Sequence, residues 1–428
     1  MVGWLPYLLE REWVQFRRGA LRTARQSPIA AGATHSIFID ASSHILTCGL
    51  EQDEDDDPEE DDDLALPGLL GQGSTLEYGE VLMLEFPVAV PTMARTSVCS
   101  VAAGQFSSFA LGDDGAVYSF GPGLCCLGHG DWEEQCTPRR IQSLDGVRIC
   151  SVAAGTWHSV ALTQEGALFT WGGRGQGLPP LGLGYNQNHP QMTPKRVNAA
   201  GLDLERCTFI SAGCDFTLVV CESGTVFSFG IGSAGQLGLG NLYMEILPRE
   251  VVRLHPRMTG QAAIAVAAGY VHSLALDEDG RVSSWGGNGD GCLGIGIMCE
   301  FQQSPVLVEM PLDAQQICRI AAGEYHSCAV DESGMLFTWG SGSLGRLGHG
   351  DAVKRFTPCP VRALTGHKVV FVTAGHWHTL VVADDGSVFG FGLADEGRIG
   401  VAIEQDIQSL PQQITQLRAR VVLNGVLE

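Results

Sequence analysis

The chain has 428 residues, of which 45% are hydrophobic and 17% are charged, so it can bury a sizeable core and is not wholly disordered. Its 26 Lys and Arg residues against 48 Asp and Glu residues give a net charge of −22, which argues against a general electrostatic attraction to nucleic acid or anionic lipid. The sequence contains no run of about 18 apolar residues, which excludes a transmembrane helix.

The first 27 residues combine apolar residues at helical spacing with a set of arginines: Trp4, Leu5, Leu8, Leu9, Trp13 and Phe16, with Arg11, Arg17, Arg18, Arg22 and Arg25. This pattern predicts an amphipathic helix that packs on the rest of the protein. A mitochondrial transit peptide is the alternative, which the arginines favour and Glu10 and Glu12 oppose.

From residue 28 onward a block of small residues ending in glycine recurs seven times. These block glycines are Gly32, Gly104, Gly155, Gly213, Gly269, Gly323 and Gly375. A second glycine follows each of them after 17 residues, preceded by an aromatic residue in six units and by Cys48 in the first. A further glycine lies 11 residues after the block glycine in six units, where the first unit has Ser43. Fixed spacing of this kind indicates a repeat architecture.

One unit illustrates the predicted structure. Residues 319–330 are small and apolar and predict a buried strand, residues 331–334 a tight turn, and residues 335–339 the return strand. Pro358 is placed in an outer connection that leads to the next unit. Each unit is then a small antiparallel sheet of about 50 residues, and sheets of this size bury their faces by packing radially. We therefore predict an all-β protein, with residues 28–428 forming one seven-bladed β-propeller.

Residues 51–63 interrupt the first unit, and 11 of these 13 residues are acidic. Such a run repels itself, which predicts a disordered, solvated insertion. Its functional alternative is attraction of a basic partner.

The C-terminal tail, residues 410–425, contains another proline followed by apolar residues, but no eighth glycine-based unit comes after it. We expect this strand to pair with the first blade and so close the ring.

The repeat resembles that of the regulator of chromosome condensation family. The similarity rests on Ala-Ala-Gly-x-x-His-Ser-x-Ala-Leu, on Trp-Gly, and on Gly-Gln-Leu-Gly-Leu-Gly at residues 235–240, and it covers about residues 28–425. It implies a seven-bladed propeller, a fold that serves exchange factors, ligase-attached modules, photoreceptors and scaffolds.

Histidine recurs three residues after the block glycine in five units, at His35, His158, His272, His326 and His378. Because the repeat places one in each blade, they cannot share a metal ion, and we expect structural hydrogen bonds within each blade. The 14 cysteines include no C-x-x-C pair, so we expect reduced thiols and no zinc. Neither a phosphate loop nor a nucleophile elbow occurs, so no catalytic site and no cofactor are predicted.

The position two residues after the block glycine, here called the ring position, varies between units. It is occupied by Thr34, Phe106, Trp157, Asp215, Val271, Tyr325 and Trp377. Four large aromatic residues at equivalent sites predict a partner-binding surface near one end of the central channel, to which His376 is added. The alternative is that these side chains fill space between blades.

Two functions compete. The founding member of the family is the exchange factor of the Ran GTPase, and the resemblance implies that acidic and histidine residues on one propeller face contribute. Asp215 and His376 fit that pattern, but the remaining ring positions are mostly apolar. We therefore predict a non-catalytic scaffold for a protein partner, with exchange on a Ran-like small GTPase as the alternative. We further expect a monomer with no nucleic acid or membrane partner, cytoplasmic rather than nuclear, with a mitochondrial location as the alternative.

Overall fold

A computed structural model describes residues 27–50, 68–73, 82–173, 181–184, 189–199, 201–202, 205–401, 406–419, 422–423 and 426–427. Apart from residue 27, the predicted N-terminal helix lies outside these residues, as does the acidic insertion at residues 51–63. The described residues form seven four-stranded antiparallel sheets and one short two-stranded sheet. This arrangement confirms the prediction of a seven-bladed β-propeller.

Each blade contributes four consecutive strands, numbered in chain order. The first strands, which line the central channel, are β1 (Ile29–Ala31), β5 (Val98–Ala103), β9 (Ile149–Ala154), β13 (Cys207–Ala212), β17 (Ala263–Ala268), β21 (Ile317–Ala322) and β25 (Val369–Ala374). The second strands are β2 (His35–Ile39), β6 (Ser108–Gly112), β10 (His158–Thr163), β14 (Phe216–Cys221), β18 (His272–Asp277), β22 (His326–Asp331) and β26 (His378–Ala383). The third strands are β3 (Ile45–Leu50), β7 (Val117–Gly121), β11 (Leu168–Gly172), β15 (Val226–Gly230), β19 (Val282–Gly287), β23 (Leu336–Gly340) and β27 (Ser387–Leu393).

The fourth strands form the outer edge: β4 (Met83–Ala89), β8 (Gln135–Arg140), β12 (Gln191–Arg196), β16 (Glu245–Glu250), β20 (Phe301–Leu307), β24 (Arg355–Pro360) and β28 (Ile407–Arg418). Short 3-10 turns lie at Pro91–Met93, Gln142–Leu144, Val252–Leu254, Ser343–Gly345, Arg362–Leu364 and Asp395–Gly397, and a four-residue helix, α1, lies at Pro256–Thr259. β29 (Val422–Leu423) and β30 (Val426–Leu427) pair with each other.

Two local predictions for the sixth unit are wrong. Residues 319–330 do not form one strand, because the chain reverses after Gly323 and belongs to both β21 and β22. Pro358 lies within the outer strand β24 rather than in a connection. A proline is tolerated there because an edge strand need not donate every backbone N–H to a neighbouring strand. The proline also discourages pairing of this edge with another sheet.

The core lies between neighbouring blades. Phe120 of the second blade packs with Ile37 and Ile39 of the first, and Trp285 of the fifth packs with Phe216 and Leu218 of the fourth. Burial of these large side chains between sheets supplies the main stabilising free energy of the ring.

The block glycines form a closed ring around the channel. A Cβ atom added to Gly104 would lie 2.4 Å from the carbonyl oxygen of Gly155, and one added to Gly375 would lie 2.6 Å from that of Gly32. Real Cβ atoms do not approach carbonyl oxygens this closely. The repeated glycine is therefore needed for the close approach of consecutive blades, including the last blade to the first.

The recurrent histidines bond between blades, not within them, which corrects the prediction. The Nε2 atoms of His35, His158, His272 and His326 lie 2.8 to 2.9 Å from a Ser or Thr hydroxyl of the next blade: Ser108, Thr217, Ser327 and Thr379 respectively. The hydroxyls of Ser108, Ser327 and Thr379 each donate to a loop carbonyl. Each histidine therefore links two sheets, and the regular spacing in sequence could not reveal which sheet accepts the bond.

The C-terminal strand also differs from its predicted position. β28 pairs with β27 and completes the seventh blade. Its contacts with the first blade include a bridge between Asp40 and Ala419, a backbone hydrogen bond from Ala41 to Arg418, and packing of Ile414 and Leu417 against a cluster that includes Phe38. Ring closure therefore depends on packing and side-chain bonds between whole blades rather than on a shared sheet.

Candidate interaction face

The ring positions lie in the turns between first and second strands, at one end of the channel. The strands alternate in direction, so the loops between third and fourth strands lie at the same end. Backbone N–H groups at the start of these loops donate to ring-position carbonyls, as Gly173 does to Trp157 and Ser341 to Tyr325. We call this end of the propeller the loop face, and the opposite end the turn face.

The ring positions of the first three blades are packed against protein. The Thr34 hydroxyl donates to the carbonyl of Leu50 at 3.2 Å and is buried. Phe106 is also buried, against Leu69 and Trp157, with 4.6 Å between the centroids of the Phe106 and Trp157 rings. Trp157 itself is half-buried. Phe106 therefore supports Trp157 more than it faces solvent.

A second aromatic group spans blades five to seven. The Tyr325 and Tyr270 ring centroids lie 5.9 Å apart, and those of His376 and Trp377 lie 6.2 Å apart. All four side chains are half-buried. The structure thus divides the predicted ring into two aromatic arcs, one around Trp157 and one around Trp377.

Glu324 lies within the second arc. Its Oε2 is 4.0 Å from Nδ1 of His376. Burial raises the pKa of Glu324, while the Arg346 guanidinium acts in the opposite direction. Burial, with repulsion from Arg346 and Arg398, lowers the pKa of His376 to about 4, so this imidazole is neutral at physiological pH.

Asp215 adjoins this arc through the residue before it. The Cys214 thiol lies 3.3 Å from Oδ2 of Asp215. Burial raises the pKa of Cys214 to about 12, and its neighbour Tyr270 also has a pKa raised to about 12, chiefly by Cys214. Asp215 therefore sits beside the neutral Cys214 thiol, which in turn neighbours Tyr270 on the half-buried part of the loop face.

Two buried arginines hold the second arc, and sequence reasoning missed both. Arg346 is 4% exposed and donates from Nη1 to the carbonyl of His376 at 3.1 Å. Arg398 is 2% exposed, donates from Nη1 to the carbonyl of Ala33 at 3.3 Å, and places its guanidinium 5.5 Å from the centroid of the Trp377 ring. Each arginine thus bonds to the inner turn of the next blade.

The signal for these arginines lies in the loop Gly-x-Leu/Ile-Gly. The x position holds Gln236, Cys292, Arg346 and Arg398 in the last four blades. An arginine at a repeat position that holds neutral residues in other blades needs a partner when it is buried. This requirement could have identified Arg346 and Arg398 as functional candidates from the sequence.

A sequence model of the RCC1-like domain matches residues 64–426. The chain belongs to the RCC1-like domain family.

Similar proteins carry this domain in different contexts. The ultraviolet-B receptor UVR8 of Arabidopsis thaliana is 32% identical over 296 residues, which cover 69% of this chain and 64% of the receptor. The E3 ubiquitin-protein ligase HERC2 of Mus musculus is 34% identical over 324 residues, which cover 74% of this chain and only 6% of the ligase. The chain therefore matches less than two thirds of the length of either protein.

Among solved structures, Prp20p of Saccharomyces cerevisiae superposes with a TM-score of 0.70 at 25% identity, covering 82% of this chain and 85% of Prp20p. That structure was described together with the binding of Prp20p to Gsp1p and histones.

The chemistry of this RCC1-like propeller suits recognition. The described residues contain no group of three or more His, Cys, Asp or Glu side chains placed to hold a metal ion. Within the same part of the chain, no helix is long and apolar enough to span a membrane. The loop face instead presents half-buried aromatic and polar side chains on a scaffold held by buried hydrogen bonds.

Proposed function

We propose that the protein is a non-catalytic interaction scaffold that binds a partner protein with its loop face. The observation that carries this proposal is the arc of Tyr325, His376 and Trp377, which is accessible to solvent yet held in place by Arg346 and Arg398. RCC1-like relatives include a receptor and a ligase, in agreement with a binding role for the domain.

Rigidity is what favours binding here. Aromatic side chains dominate the free energy of protein interfaces, and truncating a central one costs about 2–4 kcal/mol. A side chain already fixed in the free protein loses little entropy when a partner covers it. Trp157, packed on Phe106, and Trp377, stacked on Arg398, both meet this condition.

The test uses Trp157→Ala and Trp377→Ala, with Met258→Ala and Leu312→Ala on the turn face as matched controls. We expect each loop-face variant to weaken binding of a purified partner by roughly 30-fold while its melting temperature changes little. Equal effects from both faces would contradict the proposal. If a variant loses binding only because it unfolds, as shown by a large drop in its melting temperature, the alternative that these side chains fill space between blades is favoured.

A second candidate is nucleotide exchange on a Ran-like small GTPase. It is favoured by the likeness to Prp20p, which binds Gsp1p, and by Asp215 and His376 on the loop face. A fluorescent-nucleotide release assay separates the two functions. An exchange factor accelerates release from a small GTPase, and Asp215→Ala then slows release more than it weakens binding, whereas a scaffold leaves the rate unchanged.

A further inference from the structure

The outer part of the loop face exposes large apolar side chains on four blades. Trp132, Tyr243, Met298 and Val353 lie in the loops that lead into the fourth strands, and they are 51%, 73%, 80% and 61% exposed. We call these four side chains the outer rim. These exposed apolar groups lie in the corresponding loop of each of the four blades, where a partner that crosses several blades can cover them.

The loops that carry the rim are held in similar shapes. The carboxylate of Asp351 accepts the backbone N–H of Val353, and the amide oxygen of Asn241 accepts that of Tyr243, both at 3.0 Å. Gly232 and Gly342 close the loops, because a Cβ at either would lie 2.1 or 2.2 Å from the carbonyl oxygen of Tyr243 or Val353. The exposed side chains are therefore presented by defined turns.

Charges around the rim are unbalanced. Three cations near the rim are already paired with loop carboxylates: Lys354 with Asp290 at 2.6 Å, Arg355 with Asp351 at 2.9 Å, and Arg139 with Asp131 at 3.4 Å. Glu133, Glu245 and Glu300 lie within three residues of rim side chains and form no ion pair with any described residue. The rim therefore combines apolar groups with uncompensated negative charge.

We infer that the outer rim binds a basic segment of the partner protein whose cationic residues alternate with aliphatic or aromatic ones. This inference rests on the proposed function and adds the chemical class of the partner. Apolar side chains of the segment would cover Trp132, Tyr243 and Met298, and its cations would pair with the three free glutamates. A second copy of this chain is the wrong occupant, because two rims would bring like charges together.

The test measures fluorescence anisotropy of a short synthetic peptide that alternates arginine and leucine, against a matched peptide with glutamate in place of arginine. The rim variant combines Trp132→Ser, Tyr243→Ser and Met298→Ser. The control combines Val252→Ser, Met258→Ser and Leu312→Ser, which are similarly exposed on the turn face. We expect the rim variant to bind the basic peptide at least about tenfold more weakly than wild type, and the control to bind it normally.

A charge variant, Glu133→Lys, Glu245→Lys and Glu300→Lys, should also weaken binding and flatten its dependence on salt. No binding of the basic peptide by wild type, or equal losses in rim and control variants, would overturn the inference. The proposed function fails separately, when Trp157→Ala and Trp377→Ala leave binding of the partner protein unchanged.

Discussion

Nε2 of His378 in the last blade lies 3.0 Å from the hydroxyl of Ser36 in the first blade. The Ser36 hydroxyl donates its own proton to the carbonyl of Arg398 at 2.6 Å, so it can only accept from His378. This assigns the proton of the neutral imidazole to Nε2. The same kind of bond joins His272 to Ser327 and His326 to Thr379. The last blade is therefore linked to the first in the same way as neighbouring interior blades are linked to each other.

The buried histidines make stability depend on pH. Burial lowers the pKa of His35 to about 3 and those of His158 and His272 to about 4. The folded protein therefore binds fewer protons than the unfolded chain below the ordinary pKa of about 6.5. Stabilisation present above that pH is lost as the pH falls toward 4. We expect each buried histidine to lower the free energy of unfolding by about 1 kcal/mol when the pH falls from about 7 to 5.5.

Urea unfolding followed by circular dichroism across this range measures the effect, since most carboxylates stay ionised there. His326→Gln serves as the control, because it removes one titrating group and should make the free energy of unfolding depend less steeply on pH. A free energy of unfolding that stays constant between pH 7 and 5.5 would contradict the assignment of neutral buried imidazoles.

The closing junction should be more sensitive to loss of its hydroxyl than an interior one. Ser36→Ala leaves His378 unpaired, at about 1–3 kcal/mol, and leaves the carbonyl of Arg398 with the Cys48 thiol, a weak donor 3.9 Å away. Ser327→Ala leaves only His272 unpaired, because the Trp339 indole also donates to the same carbonyl, that of Cys292, at 2.8 Å. We expect a larger loss of unfolding free energy for Ser36→Ala in chemical denaturation. Equal losses would mean that the indole bond adds nothing.

The sequence sufficed for the architecture because each blade repeats the same physical requirements. Gly32 and its equivalents are needed for close approach between blades. The turn after the second strand needs a residue with a positive φ, which is Gly334 in the sixth unit and Ser43 in the first. Spacing alone therefore predicted seven blades.

Contacts between units were harder to predict, because a repeat pattern describes one unit at a time. The pattern placed His378 correctly but gave no sign that its partner, Ser36, lies 342 residues away. It likewise could not assign β28 to the seventh blade, because the spacing does not show which neighbouring sheet takes the last strand. The arcs around Trp157 and Trp377 depend on Phe106 and Arg398, whose roles follow from packing and not from spacing.

Removing the C-terminal strand should destabilise the seventh blade. A chain ending at Ser409 lacks Ile414 and Leu417, which are buried against β2 and β26 residues such as Phe38 and Leu380. Loss of each buried aliphatic side chain costs about 2–5 kcal/mol. A chain ending at Ala419 keeps both and retains the bridge to Asp40, so its thermal melt should match that of the full chain. Similar melts for both truncations would disprove this role of β28.

Deleting residues 51–63 should leave the fold intact, because the flanking segments are anchored separately. Leu50 donates its N–H to the carbonyl of Thr34, and the carbonyls of Leu69 and Leu70 accept from the hydroxyls of Ser108 and Thr47. The deletion removes 11 acidic residues and halves the net charge from −22 to −11. We expect slower association with a basic peptide and a weaker salt dependence in stopped-flow measurements, with an unchanged melt. Unaltered association kinetics would show that the tract does not attract basic partners.

Arg398 should be irreplaceable even by lysine. Its Nε lies 2.8 Å from Oδ1 of Asp395, and Nη2 bonds to Oε2 of Glu396. Nη1 reaches the carbonyl of Ala33, and the guanidinium lies against Trp377. Arg398→Met removes the cation from Asp395 and Glu396, which are each about a third exposed, so we expect a cost below that of breaking a fully buried pair, about 3–5 kcal/mol. Arg398→Lys keeps the charge but lacks the planar fork that serves Asp395, Glu396 and Ala33 at once, so we expect it to restore less than half of that loss. Arg281→Lys is the matched control, since the Arg281 pair with Asp277 is largely exposed and should tolerate the exchange. Near-ultraviolet circular dichroism reports on the packing of all eight tryptophans, including Trp377, and its signal should change in both Arg398 variants. Full rescue of stability and signal by lysine would show that charge alone, not the guanidinium geometry, holds this arc.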